Sequence, residues 1–142
     1  MSHKKLFERI GQSFARQGLM SHLGAKLIRV EPSLCEISLP YSAQIIQQQG
    51  GFHGGAIGSI ADSAAGYAAL TETPIDMEVV SVEYKINFMA NFQGGELRAV
   101  GRVVKAGKSI IVTTAEVTHI GDGKITPCAV LQQTVMKVPK TM

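Results

Sequence analysis

The chain has 142 residues, enough for one hydrophobic core and too few for two comfortable ones, so a single domain over 1–142 is expected. Hydrophobic residues make up 45% and charged residues 18%, which excludes a disordered chain. The net charge of +3 is mild and is not gathered into a basic stripe, which argues against nucleic acid as a partner.

Leu6, Phe7, Ile10 and Phe14 recur at helical spacing between Lys4 and Gln17, with Gly18 just beyond. This predicts a short amphipathic helix over about 3–17 whose apolar stripe lies on something. The period then changes to two. Ala25–Glu31 and Leu34–Leu39, separated by Pro32-Ser33, predict two paired strands. Ile45 to Gln49 leads into Gly50-Gly51.

Gly54 to Leu70 differs in kind, being apolar on nearly every side and built mostly of Ala, Gly and Ser. A helix apolar all round is a buried one, and small residues let neighbouring backbones approach it closely. A strand is the competing reading, but the run is long and poor in β-branched residues. After Pro74 come four strand-like stretches: Val79–Asn91, Leu97–Lys105, Ile110–Ile120 and Ile125–Val138. Their breaks at Gly94-Gly95, Ala106-Gly107-Lys108 and Gly121-Asp122-Gly123 resemble hairpins, which predicts a strongly curved four-strand meander. The expected class is α+β, one sheet wrapped on a single helix, with the core over about 24–138.

Candidate chemistry sits between Gln47 and Tyr67. Asp62 is a carboxylate in an otherwise apolar helix, where burying it ionised costs several kcal/mol unless it is compensated. No basic residue lies three or four positions away along the helix. The bland alternative is a helix with one wet edge that carries Asp62. His53-Gly54-Gly55 stands where the helix starts, and the free backbone N–H groups and positive dipole end there can polarise a carbonyl oxygen. An ordinary glycine turn into a helix is the alternative. Gly54 and Asp62 are eight residues apart, roughly 12 Å at ~1.5 Å per residue. A single copy can hardly use both in one site, whereas two copies related by symmetry can.

No window approaches the ~18 apolar residues of a membrane span. The first segment carries Glu8 and no unbroken apolar stretch, so it does not read as a signal peptide, and a cytoplasmic protein with no membrane partner is expected. Cys35 and Cys128 are far apart in sequence, and two buried free thiols are expected over a single bridge. His3, His22, His53 and His119 are scattered without metal-ligand spacing, so neither a metal nor another cofactor is expected.

Gln47-Gln48-Gln49-Gly50-Gly51-Phe52-His53-Gly54-Gly55, then Asp62, then Val80-Ser81-Val82 resembles the hotdog-fold acyl-CoA thioesterases of the PaaI-like and 4-hydroxybenzoyl-CoA types. The resemblance runs from about Gly24 to Met136. It implies a hotdog fold and hydrolysis of an acyl-coenzyme A to free acid and coenzyme A. Asp62 would be the general base or nucleophile, and Gly54 the N–H that polarises the thioester carbonyl. Gln47 would hydrogen-bond near the thioester, a role that Gln48 or Gln49 takes in another loop register. Ser81 would orient the water, and His53 would shape the loop and touch the sulfur. The resemblance also implies a homodimer, extending to a dimer of dimers, in which Gln47 and Gly54 of one chain meet Asp62 and Ser81 of its partner.

For the acyl group, Gly55, Ala61, Ala65, Phe88 and Met89 are the expected binding residues, favouring a medium-to-long aliphatic or aryl chain over acetyl. Two other functions on the same fold remain open. One is a non-catalytic acyl-CoA binder. The other is a hydratase or dehydratase, disfavoured because no His follows Asp62 in its helix.

Overall fold

The computed structural model describes residues 1–140. Helix α1 (His3–Ala15) is capped by the Ser2 side chain, and a second short helix, α2 (Gly18–Leu23), follows and ends on Gly24 at φ 79°. The sequence reading expected one helix here, because Gly18 looks like a stop. The chain instead restarts after Gln17 and stops one turn later, at the glycine that adopts the left-handed conformation. Leu6 and Ile10 of α1 are buried, whereas Phe7 is 39% exposed and falls off the expected stripe.

Strands β1 (Lys26–Glu31) and β2 (Leu34–Pro40) pair antiparallel across Ser33 at φ 66°. The long helix α3 (Gly54–Leu70) spans the predicted run. Four strands follow: β3 (Met77–Phe88), β4 (Glu96–Ala106), β5 (Ile110–Gly121) and β6 (Lys124–Pro139). All six form one antiparallel sheet in the order β1-β2-β4-β5-β6-β3, wrapped on α3 in the hotdog arrangement.

That order corrects one expectation. β4, β5 and β6 are a meander, but β3 is not its first strand: it pairs with β6 at the opposite edge. Gly94 and Gly95, at φ 69° and 66°, therefore close no hairpin between β3 and β4. They end a crossing segment pinned beneath the start of α3, where the Phe52 N–H donates to the Phe92 carbonyl at 3.1 Å. Positive-φ glycines mark a change of chain direction and carry no information about which strands then pair.

The core is the inner face of the sheet against α3. The inward positions are Leu97, Ala99 and Gly101 on β4, Ala115 and Val117 on β5, and Ala129 and Leu131 on β6. They meet Ala61, Ala64 and Ala65 of the helix, all fully buried. The contact is closest at Gly101, where a Cβ would overlap the backbone of Ala64 and Ala65. Cys35 and Cys128 are buried free thiols on separate strands, and burial, aided by the neighbouring Glu36 charge, pushes Cys35 up to about 12. No helix among the described residues is long and apolar enough to cross a membrane.

Gly101→Ala should push α3 off the sheet and cost about 1–3 kcal/mol, the usual penalty for overpacking. The urea midpoint measures it. An unchanged midpoint would mean that the helix can retreat freely.

Candidate active site

α3 starts at His53, whose Nδ1 accepts from the Gly55 N–H at 2.7 Å and so caps the helix. The loop before it is tied down at several points. The Gln47 side-chain oxygen accepts from the N–H groups of Gln49 (2.6 Å) and Gly51 (3.3 Å), and the Gln93 amide donates to the Gln49 carbonyl at 3.2 Å. With Gln47 Oε1 taken by the loop, its Nε2 has no partner among the described residues. Gln47 borders a groove of about 350 Å³ with Gly54, Ile57, Phe88 and Met89, whereas Gln48 and Gln49 are exposed and stand outside it. Gly54 faces the Phe88 ring so closely that a Cβ would lie 3.2 Å from it. Phe88 and Met89 are each 53% exposed, so this groove is apolar and open.

Asp62 lies two turns further along α3, on the helix's one partly exposed edge with Ser59, Ser63 and Gly66. It is half-buried, so the wet-edge alternative describes its setting better than burial in the alanine-rich core. The Ser81 hydroxyl on β3 donates to Asp62 Oδ1 at 2.8 Å. The Gln133 amide on β6 donates to the same oxygen and, at 3.1 Å, to the Asp62 backbone carbonyl. Both side-chain bonds thus fall on Oδ1, and Oδ2 has no protein partner among the described residues. Asp62 and Ser81 line a cavity of about 270 Å³ that contains neither Gly54 nor Gln47.

Gln133 was missed from the sequence, although it left a signal. It occupies an inward position of β6 between Leu131 and Val135, where an unpaired amide is costly, and it is 1% exposed. Its oxygen accepts from the buried Thr113 hydroxyl at 2.9 Å, which fixes the amide with its nitrogen toward Asp62. A β-bulge between Ser81 and Glu83 lies beside this contact. Bulges of this kind re-aim side chains at sheet edges.

The expected acyl-binding residues divide into two groups. Phe88 and Met89 border the Gly54 groove, and Gly55 is exposed at the helix start. Ala61 and Ala65 are 0% exposed and border neither the groove nor the Asp62 cavity. Their small size serves the close packing of α3 on the sheet.

Against known proteins, residues 49–126 match the family model of the thioesterase superfamily. A candidate esterase of Saccharolobus solfataricus is 31% identical over 122 residues, covering 86% of this chain and 81% of that protein. The chain belongs to the thioesterase superfamily. A crystal structure of a thioesterase family protein from Silicibacter pomeroyi superposes with a TM-score of 0.92 at 33% identity, covering 94% of this chain and 98% of that one. The E. coli PaaI protein from the phenylacetic acid degradation operon shares the fold, with a TM-score of 0.84 at 21% identity over 96% of this chain and 95% of its own.

Gln133→Leu removes the amide from Asp62 and leaves the buried Thr113 hydroxyl without its best acceptor. The expected cost is about 1–3 kcal/mol, measured by chemical denaturation. A cost within error of zero would mean that the network holds nothing in place.

Proposed function

We infer that this thioesterase superfamily member hydrolyses acyl-coenzyme A thioesters, with Asp62 as the reacting carboxylate and the Gly54 N–H as the carbonyl-polarising donor. The observation that carries this reading is the half-buried Asp62 lining a cavity, with Ser81 and Gln133 both donating to Oδ1 and Oδ2 without a protein partner among the described residues. A carboxylate held by one oxygen presents the other in a fixed direction, which positions a base or nucleophile without neutralising it. Oδ2 takes a proton from water as the water oxygen bonds to the thioester carbon. The negative charge gathers on the carbonyl oxygen at the start of α3. The C–S bond then breaks, and the coenzyme A thiolate leaves with the proton.

Gly54 and Asp62 open into separate cavities of one chain, which supports a site shared between two copies. β3 supports it further. It is an edge strand, and Val80, Val82, Tyr84, Phe88 and Met89 are exposed on or just after it. Such an edge is expected to be covered. Ser81 adjoins Asp62 and Phe88 adjoins Gly54 on this same strand. A two-fold axis between Tyr84 and Lys85, pairing β3 with its copy, sets Ser81 of one protomer across from Phe88 of the other. The helix start of one chain then approaches the carboxylate of its partner. The site needs two chains and no more. His53, with Nδ1 committed to the helix cap, shapes this approach.

Asp62→Asn should lower kcat by about 10²–10⁴-fold, measured as free thiol released from a panel of acyl-CoAs. Gly54 is the first residue of α3, where proline is tolerated, so Gly54→Pro deletes the N–H and keeps the helix. It should lower kcat by about 10²–10³-fold, with Gly54→Ala as the control that retains the donor. Mixing the two inactive variants at equal concentration and refolding them together makes half the dimers hybrids, each with one intact site. About one quarter of wild-type activity should return. No recovery in confirmed hybrids would place both residues in one chain's site. Turnover unaffected by Asp62→Asn would remove the proposed role of the carboxylate.

A further inference from the structure

The loop before α3 takes its position from the crossing segment between β3 and β4. Three successive residues of that segment meet it. The Asn91 side chain fills the space where a Cβ on Gly51 would stand. The Phe92 carbonyl accepts from the Phe52 N–H at 3.1 Å, and the Gln93 amide donates to the Gln49 carbonyl at 3.2 Å. Phe52 stands two residues before Gly54, so a shift of the segment passes straight into the first turn of the helix.

The segment is itself held by a side chain of the sheet. His119, near the end of β5, lies opposite the inward Leu97 of β4 and is 8% exposed. Its Nε2 is 2.9 Å from the Gly94 carbonyl, and because a carbonyl only accepts, Nε2 carries the proton and donates. The imidazole stacks on the Phe92 ring, 4.2 Å between centroids and 5° between planes. The Phe52 ring meets the imidazole edge-on at 6.3 Å. Tyr41 packs edge-on against Phe52 at 5.2 Å and donates its hydroxyl to the Gly50 carbonyl.

The seat is shaped to the ring. A Cβ on Gly121 would overlap the imidazole, and one on Gly95 would crowd Nε2 and overlap the Ile120 carbonyl. A purely apolar ring would stack on Phe92 as well, so packing alone does not account for an imidazole here. The nitrogen adds a fixed depth for Gly94, and through it for residues 91–93. His119 borders neither the Gly54 groove nor the Asp62 cavity, so its reach to the reaction runs through Phe52 and the crossing segment.

Resting on the thioester-hydrolase reading above, we propose that His119 is a positioning residue for the carbonyl-polarising N–H of Gly54. The hydrogen bond to Gly94 and the stack on Phe92 fix the platform on which residues 49–52 sit. That platform sets where the donor points. A donor misplaced by about 1 Å can cost up to about 10²-fold in rate, and a contact made only in the transition state is lost from kcat with KM unchanged.

The test is a double-mutant cycle between His119 and Gly54→Pro, read as kcat and KM for the acyl-CoA turned over fastest in the panel above. His119→Ala removes both contacts and should lower kcat by about 10–100-fold, with KM within about twofold of wild type. His119→Phe keeps the stacked ring without the donor, and His119→Gln keeps a donor without the ring. Each should retain part of the lost rate, and thermal melts confirm that every variant is folded at the assay temperature. The cycle is closed with all three substitutions, so it does not hang on the alanine variant. In the Gly54→Pro background no N–H is left to aim, and each His119 substitution should change kcat by less than about threefold. A kcat unchanged by the His119 substitutions, a KM that rises while kcat holds, or effects that multiply in the Gly54→Pro background overturn the proposal. A Gly54→Pro variant as active as wild type, or no turnover of any acyl-CoA, overturns the reading beneath it and the role of His119 with it.

Discussion

The missing side chain at Gly101 lets the backbone of α3 settle directly onto the sheet at Ala64 and Ala65. The rest of the molecule is arranged around that approach. With Ala61, Ala64 and Ala65 in one core cluster with Ala99, Ala115 and Ala129, and no space for even a Cβ at Gly101, the helix and sheet lie too close for their separation to drift. A helix pressed so firmly into place serves as a ruler. It fixes the distance between the N–H groups at its start and the carboxylate two turns along, and it fixes both against β3.

The setting of Asp62 follows from the same geometry. A helix buried all round would strand an ionised carboxylate, but the sheet does not close completely over α3. The gap leaves one edge, through Ser59, Asp62, Ser63 and Gly66, in partial contact with solvent. Among the described residues no cation pairs with it, and neutral donors orient the group. Those donors come from β3 and β6, which are neighbours in the sheet, so the pairing that departs from sequence order also builds the carboxylate's cradle.

Much of this was legible in the sequence, for reasons that differ by element. α3 was readable to its ends because an all-apolar run of small residues has few other fates and His53-Gly54 marks its start. The strands were readable from alternation. The pairing of β3 was not readable, because nothing local in Gly94-Gly95 distinguishes a hairpin from a crossing. Ala61 and Ala65 carry two readings, because a small residue leaves room in a sequence but invites close packing in a fold. Gln133 broke an inward apolar register and was detectable there. The partnership of Gln17 with Tyr67 spans 50 residues and depends on where α1 docks, which no local pattern states.

Besides burying Leu6 and Ile10, α1 is held by Arg9, whose guanidinium donates to the carbonyls of Leu70, Thr73, Pro74 and Met77. All four acceptors are main-chain atoms, so the grip depends on the path of the turn after α3 and on none of its side chains. That turn can be rewritten without releasing the helix, provided its course is kept. The helix in turn can change the residues it shows to the cavity without loosening its own attachment. The attachment of the N-terminal segment and the side chains it turns toward the cavity, Ser13 and Gln17, are thus separate residues, so each can vary without disturbing the other.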